Sequence, residues 1–211
     1  MFEIEYKGAN SIVISTKKAR LVVDPKLSIV GLKDLSTKEA VELATEGRFT
    51  TGNPDAILLI DGPGEYGVAE FDIRGIPTRR HIDSQSDGLA STMYRIEIGE
   101  IRIGIIGNIY EKLSDEQLEE LGVIDILVVP VGGGGYTLDA TGAAGIVRMI
   151  DPKIVIPVHY ADKSLKYEVP QDELKLFIAE LGAPVEIVTK YKLKQLLVVP
   201  ATISVVEIIR S

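Results

Sequence analysis

The stretch that decides the fold is residues 124–160, IDILVVPVGGGGYTLDATGAAGIVRMIDPKIVIPVHY. It opens with a short, continuous apolar run that ends in glycines, which is typical of a strand buried on both faces. A helical pattern from about Asp139 to Ile150 follows, and the run KIVIPVHY then gives a second buried strand. Alternation of helices and buried strands predicts an α/β fold.

The same order continues on both sides of this stretch. Upstream, Ser114 and Gln117 form a capping box that opens a helix over residues 114–121. Downstream, a helix from about Gln171 to Leu181 leads into the strand VEIVT, and two last strands are predicted at 193–199 and 203–209.

The first half of the chain is dominated by strand patterns. Alternating runs at Glu3–Ser15 and Arg20–Asp24 predict a hairpin, and TMYRIEI followed by IRIGIIG predicts another. The apolar run DAILLID predicts a strand buried on both faces. Between these runs, residues 36–46 carry a capping box from Ser36 to Glu39, which predicts a short helix.

Composition limits the classes of protein to consider. The chain has 211 residues, which suits one domain over 1–211, and it has no cysteine, so thiolate metal sites and disulfides are excluded. Its net charge of −8 repels phosphate backbones, so we expect no nucleic-acid partner. The absence of a long apolar run or a signal-peptide pattern predicts a cytoplasmic protein without a membrane partner. The positive mean hydropathy of +0.18 leaves a homo-oligomer open.

Two glycine motifs invite a nucleotide or anion interpretation. Gly62, Gly64 and Gly67 match the dinucleotide fingerprint, but a strand pattern follows them where the fingerprint needs a helix. The run 132–135, which includes Gly133 and Gly134, follows a buried strand and precedes a helix. Its amides could cradle an anion, or it is a flexible turn at the rim of a site.

The chain has only two histidines, and both follow strand patterns. His81 comes after Arg79 and Arg80, and His159 ends KIVIPVHY. In α/β sheets, ligand crevices lie at the carboxyl ends of strands, so both histidines are site candidates, although a structural role is the common one for a lone histidine.

Several motifs in their order resemble the metallo-β-lactamase superfamily, in particular short metal-dependent hydrolases similar to L-ascorbate-6-phosphate lactonase. They are LVVDPK, DGPGEYGV, FDIRGIPTRRH, IRIGIIGN, IDILVVPVGGGGYTLDA and PKIVIPVHY. The likeness covers about residues 1–190. It implies a four-layer αβ/βα sandwich of two mixed sheets with helices on the outer faces, and a metal site where strand ends converge at one edge.

The resemblance also implies a ligand set that this sequence matches poorly. The family's His-x-His-x-Asp-His motif falls by position near LATEGRFTTG, where Glu46 and Arg48 stand among the residues replacing ligands. The family's bridging aspartate corresponds to Asn108, whose neutral amide is a poor ligand for a divalent transition metal. His81, His159 and the strand-end Asp24 remain, which is fewer than a stable zinc site uses.

Two functions follow from this comparison. In the first, His81, Asn108 and His159 are vestigial metal positions, no metal is expected, and the protein is a binding or structural protein with a small anionic ligand as its candidate partner. In the second, it is a metal-dependent hydrolase of a small phosphorylated or lactone-type substrate, with zinc or manganese. We expect His81, Asn108 and His159 to share a pocket, with Asp24 nearby and Arg48 supplying positive charge.

Overall fold

A computed structural model describes residues 1–83, 88–193 and 202–211, which form two mixed β-sheets and three α-helices. The strands are β1 (Phe2–Gly8), β2 (Ser11–Ser15), β3 (Arg20–Val23), β4 (Val41–Leu43), β5 (Leu58–Ile60), β6 (Gly64–Val68), β7 (Phe71–Thr78), β8 (Ser91–Ile98), β9 (Ile101–Ile105), β10 (Ile126–Pro130), β11 (Ile154–Val158), β12 (Val185–Val188), β13 (Tyr191–Leu193) and β14 (Ser204–Ile208). The helices are α1 (Asp115–Leu121), α2 (Ala140–Ile150) and α3 (Leu174–Leu181).

Each sheet combines antiparallel and parallel pairs. The six-stranded sheet has the order β13-β1-β2-β3-β4-β5, in which β1 to β3 are antiparallel and β3 to β5 are parallel. The eight-stranded sheet has the order β12-β14-β11-β10-β9-β8-β7-β6, in which the strands from β9 to β12 run parallel. Parallel strands bring their carboxyl ends to one edge, which is where the candidate site lies.

The main core lies between the two sheets. On β1, Phe2, Ile4 and Tyr6 are buried while the intervening residues are partly exposed, as the period of a strand requires. These side chains pack in one cluster with residues of the opposite sheet such as Ile103 and Ile156. The face-to-face sandwich is therefore confirmed.

The two outer layers are unequal. Helix α2 packs Ala143 and Val147 onto the outer face of the eight-stranded sheet, and α3 adds Phe177 there. On the outer face of the six-stranded sheet, Val13 and Val22 are covered by Ala40 and Leu35 of an irregular segment. Within 1–83, 88–193 and 202–211, the α-helices thus lie on one side of the sandwich, and irregular chain covers the other.

The prediction for 124–160 and its flanks is confirmed because its signals are local. At the start of α1, Ser114 Oγ accepts from the Gln117 N–H at 3.2 Å, and Gln117 Oε1 accepts from the Ser114 N–H at 2.9 Å. KIVIPVHY supplies β11 and VEIVT supplies β12. Of the strand predicted at 193–199, Leu193 ends β13 and the rest lies outside the described residues. None of the helices in the described ranges has the length and apolarity of a membrane span.

Two other predictions are wrong. Residues 36–46 contain the strand β4 instead of a helix, since β4 is paired on both sides and its Glu42 carboxylate accepts four hydrogen bonds from Thr37, Thr51 and Gly52. These tertiary contacts outweigh the local capping signal. DAILLID supplies β5, but β5 is an edge strand and Leu59 is 40% exposed.

Candidate functional site

The candidate site lies where strand ends of both sheets meet. Asp24 directly follows β3, and His159 directly follows β11. Two backbone hydrogen bonds join the sheets at this edge: His159 N–H donates to the Ala9 carbonyl at 2.8 Å, and Thr92 N–H donates to the Thr45 carbonyl at 2.8 Å. The side chains at the edge are therefore held on a cross-linked scaffold.

Asp24 is a buried carboxyl group held by one residue. Its Oδ1 accepts from the Thr45 N–H at 2.7 Å, and its Oδ2 accepts from Thr45 Oγ1 at 2.8 Å. Burial raises the pKa of Asp24 to about 7, although the two bonds from Thr45 act in the opposite direction. Burial therefore favours the protonated form of Asp24 much more than it is favoured in an ordinary aspartate.

Glu46 is a buried carboxylate that faces two guanidinium groups. Arg48 Nε lies 2.9 Å from Glu46 Oε2, Arg48 Nη2 donates to Oε1 at 3.3 Å, and Arg80 Nη1 lies 3.6 Å from Oε2. The contact between Arg48 Nε and Oε2 is an ion pair, since its angle does not meet that of a hydrogen bond. Arg80 also holds Asp83 with two hydrogen bonds of 2.7 Å. Two cations and two carboxylates thus balance at this point.

Asn108 connects this cluster to the turn between β1 and β2. Its Nδ2 donates to Glu46 Oε1 at 3.3 Å, and its Oδ1 accepts from Asn10 Nδ2 at 2.9 Å. Both asparagines are buried. Asn10 Oδ1 then has no hydrogen-bond partner among the described residues.

His159 is buried and neutral. Its Nδ1 lies 3.1 Å from Gln171 Oε1, and its ring stacks on Tyr136 with centroids 5.5 Å apart and also contacts Tyr167. Burial lowers the pKa of His159 to about 4, and the charge of Arg48 acts in the same direction. The imidazole is therefore uncharged at neutral pH.

His81 lies beside this arrangement and is not a wall of the cavity. Its backbone N–H donates to the Asn108 carbonyl at 2.8 Å, and its ring centroid is 6.4 Å from that of Tyr110. Its Nδ1 is buried without a partner among the described residues. The structure therefore places His81 next to Asn108 through the backbone alone.

The glycine turn packs against neighbouring parts of the chain, and the amide of Gly133 is already hydrogen-bonded. A Cβ on Gly132 would lie 2.1 Å from the His159 carbonyl oxygen, so only glycine fits there. The Gly133 N–H donates to the Leu138 carbonyl at 2.9 Å, and Gly134 packs against the Pro170 carbonyl. Of the two interpretations of this turn, the contacts favour a turn at the rim of the site.

Backbone strain concentrates at the same edge. Ala9, Asp24 and His159 all have φ between +47° and +52°, a region that non-glycine residues seldom adopt. Such conformations cost on the order of 1–3 kcal/mol each and persist where the surrounding structure enforces them. Three of the six such non-glycine residues in the described chain lie at this edge, and the other three are Glu39, Ala69 and Asp151.

A cavity of about 600 Å³, including its open mouth, lies at this edge. Its polar lining includes Asn10, Asp24, Arg48 and His159. Its apolar and aromatic lining is Leu27, Ile29, Val30, Phe49, Tyr136, Tyr167 and Val169. The mixture of an apolar wall with a few polar groups is typical of a small-molecule site.

The sequence interpretation did not find Asn10, Tyr136, Tyr167 or Gln171. Asn10 sits in the turn between β1 and β2, within a run that was interpreted as one strand, so that turn is the signal that was missed. Tyr136 follows the glycine turn directly. Gln171 and Tyr167 lie in irregular chain before α3, and no sequence pattern marks them.

The ionisable groups at this edge are dispersed. Across 1–83, 88–193 and 202–211, no group of three or more His, Cys, Asp or Glu side chains is close enough to hold a metal ion. The carboxylates of Asp24 and Glu46 are bound by Thr45 and by two arginines, and His159 lines the cavity whereas His81 does not.

Relatives support the family suggested by the motifs. A UPF0173 metal-dependent hydrolase from Methanopyrus kandleri is 25% identical over 214 residues, which cover 89% of this chain and 91% of the relative. A UPF0173 protein from Pyrococcus furiosus is 39% identical over 71 residues, which cover 34% of this chain and 32% of that protein. This second match spans about a third of the length of the relative.

Solved structures support the same fold. A proposed zinc-dependent hydrolase of the metallo-β-lactamase superfamily from Thermotoga maritima has a TM-score of 0.78 at 22% identity, with 99% of each chain covered. Igni18, a metallo hydrolase from Ignicoccus hospitalis, has a TM-score of 0.65 at 16% identity, with 86% and 90% covered. At these identities the likeness shows the fold alone. The family model described as the beta-lactamase superfamily domain matches residues 3–159, which is most of the chain, and the protein therefore belongs to the metallo-β-lactamase superfamily.

Proposed function

We propose that this protein binds a small anionic molecule in the cavity beside Asn10, Arg48 and His159, without the metal centre of its relatives. The observation that carries the proposal is the pairing of Glu46 with Arg48 and Arg80. A guanidinium group stays protonated at all physiological pH values, so it neutralises the carboxylate and repels a cation at the same place.

The other groups at the edge also fit a metal poorly. Asn108 is a neutral amide, and both of its polar atoms are used, by Glu46 and by Asn10. Both oxygens of Asp24 accept hydrogen bonds from Thr45. A stable zinc site uses three or four protein ligands, and His159 is the one imidazole that lines the cavity.

A metal-dependent hydrolase is the second candidate, and the names of the relatives favour it. In that case the protein would hold zinc or manganese and hydrolyse a small phosphorylated or lactone-type substrate. The uncharged His159 ring and the exposed Glu168 carboxylate both line the cavity, and each could coordinate a cation.

Elemental analysis of protein purified without chelators separates the two candidates. We expect well below one equivalent of zinc, manganese or iron, and no measurable hydrolysis of phosphodiesters, lactones or β-lactams. The double variant Arg48→Ala, Asn108→Asp removes a positive charge and adds a carboxylate, so it should take up more added zinc than the native protein does. A stoichiometric transition metal in the native protein, with hydrolysis that a chelator abolishes, would establish the hydrolase instead.

A further inference from the structure

The cavity wall carries charged side chains of both signs that solvent can reach. Lys26 and Arg48 are half-buried, and Glu168 is exposed. In the part of the chain that the structure describes, neither Lys26 nor Glu168 forms an ion pair. Arg48 is paired with Glu46, but a guanidinium group has five N–H donors, so Arg48 has donors left for a ligand. The wall therefore offers two cations and one carboxylate to a bound molecule.

Most of the other polar groups in the wall are already hydrogen-bonded within the protein. These are the side chains of Asn10, Ser11, Asp24, His159, Tyr167 and Gln171. A ligand that bound to them would first have to displace an existing partner. The charged groups are therefore the part of the wall from which a ligand gains most.

Lys26 and Glu168 lie on two segments that contact each other. Lys26 directly precedes the short helical turn Leu27–Val30, and Glu168 lies in irregular chain before α3. The Lys166 N–H donates to the Val30 carbonyl at 2.9 Å, which holds the two segments together. One cavity thus receives a positive charge from one segment and a negative charge from the other.

Tyr136 shows that the opposite charges are close to each other. The Arg48 guanidinium lies 5.1 Å from the centroid of the Tyr136 ring. Burial raises the pKa of Tyr136 to about 12, the charge of Arg48 lowers it, and the charges of Glu46 and Glu168 raise it. Arg48 and Glu168 therefore both act on this tyrosine, and one small molecule beside it can meet a cation and an anion.

The rest of the wall is apolar, and it is formed by Leu27, Ile29, Val30, Phe49 and Val169. Ile29 is 41% exposed, so part of this surface is in contact with water. An apolar group of a ligand would be favourably buried here. A simple inorganic anion would leave this surface wet and would be repelled by Glu168.

We propose that the cavity takes a small amino acid with an apolar side chain. Its carboxylate binds Arg48 and Lys26, its ammonium group binds Glu168, and its side chain lies on the apolar wall. The proposal rests on the proposed function, because a metal held by Glu168 and His159 would occupy the group that the ammonium needs. It adds the ammonium group and the apolar side chain to the anionic group of that function.

Titration of the full-length protein with four probes tests this, followed by the backbone amide signals of residues 26–30 and 167–169 in NMR spectra at pH 7. The probes are leucine, 4-methylpentanoate, 3-methylbutylamine and alanine. The second probe is leucine without its ammonium group, and the third is leucine without its carboxylate. We expect leucine to bind about tenfold more tightly than either of them, because each has lost one charged partner. Alanine should bind more weakly than leucine, because it covers less of the apolar wall.

Two variants identify the charged groups, each with a matched control at an exposed residue. Glu168→Gln should abolish the advantage of leucine over 4-methylpentanoate, and continued binding of 4-methylpentanoate shows that the variant is folded. Its control is Glu119→Gln, which should keep the advantage. Lys26→Gln should weaken leucine and 4-methylpentanoate alike and leave 3-methylbutylamine unweakened, whereas Lys18→Gln should change none of the three.

Three results would overturn the proposal. They are equal affinities of the native protein for leucine and 4-methylpentanoate, an unchanged preference for leucine in Glu168→Gln, and alanine binding as tightly as leucine. The first two would show that the Glu168 carboxylate is only solvated. Elemental analysis keeps these outcomes apart from failure of the proposed function. A metal-free protein that binds 4-methylpentanoate as tightly as leucine, or binds neither, refutes the inference alone, whereas a stoichiometric metal refutes the proposed function.

Discussion

Two buried carboxylates four residues apart are stabilised in different ways. Glu42, on β4, is fully buried and accepts hydrogen bonds from neutral groups of Thr37, Thr51 and Gly52, all within ten residues of it. Glu46 is instead held by charged and amide groups, and two of them, Arg80 and Asn108, come from distant parts of the chain.

The difference separates a structural carboxylate from one that organises a site. The donors around Glu42 satisfy it completely and tie the segment 37–52 together. Two partners of Glu46 make further contacts towards the cavity. Asn108 accepts a hydrogen bond from Asn10, and Arg48 lies over the ring of Tyr136 in the cavity wall. A carboxylate whose partners lead to a cavity affects the chemistry there, whereas one surrounded by local donors affects folding.

The largest effect should come from truncating the structural carboxylate. Glu42→Ala leaves two backbone N–H groups and two hydroxyl groups without their acceptor, so we expect the free energy of unfolding to fall by about 3 kcal/mol. Glu46→Ala should cost less, because water can solvate the partly exposed Arg48 and Arg80. Equilibrium unfolding in guanidinium chloride measures both, and a larger loss for Glu46→Ala would reverse the comparison.

The sequence predicts a helix or strand correctly where the signals that specify it lie within the element or beside it in the chain. The elements of 124–160 have strong periodicity and local caps, so their prediction is confirmed. Residues 36–46 were predicted as a helix because the partners of Glu42 and the two strands beside β4 are not visible in a window of eleven residues.

The site residues also divide into those that the sequence indicates and those that it does not. Asp24, Asn108 and His159 could be proposed because each follows a strand, and the structure places them at one edge. The hydrogen bonds of Asn10 with Asn108 and of Gln171 with His159 depend on which donor faces which acceptor in three dimensions. No pattern of residue types determines that, so these two residues could not be found from the sequence.

The next effect is on the pH dependence of stability. The pKa of Asp24 is about 7 in the folded protein against an ordinary value of 3.8, so the folded state holds its proton longer and stability falls as pH rises from about 4 to 7. The pKa of His159 is about 4 against 6.5, so its contribution rises with pH from about 4 to 6.5. The two contributions oppose each other in the native protein.

Asp24→Asn removes one of the opposed contributions. The free energy of unfolding of this variant should rise with pH between about 4 and 6.5, relative to that of the native protein, by at most about 1.4 kcal/mol per pH unit. The substitution keeps the shape of the side chain, and Thr45 Oγ1 can accept from the new amide. Melting temperatures across this range test the prediction, which fails if the two proteins show parallel pH profiles.

A smaller effect should separate the two roles of Arg80. Arg80→Lys keeps a positive charge near Glu46 but cannot form both 2.7 Å hydrogen bonds to Asp83, so we expect a loss of about 1 kcal/mol. The hydrogen bond from Asn108 to Glu46 should survive, because Arg48 still neutralises Glu46. Chemical denaturation gives the loss, and unshifted side-chain amide signals of Asn108 in NMR spectra provide the control.

The smallest effect concerns Glu65, in DGPGEYGV, which is one of the motifs that suggested the family. From the sequence we expect a stability cost on replacing it; in the structure the side chain is 74% exposed and pairs with the exposed Arg74, so we expect that cost to be small. Exposed ion pairs contribute little because water and salt screen them. Glu65→Gln should therefore change the free energy of unfolding by no more than about 0.5 kcal/mol, and less in high salt. Unfolding at two salt concentrations measures this, and a loss close to that of Glu42→Ala would show that an exposed carboxylate can stabilise the fold as a buried one does.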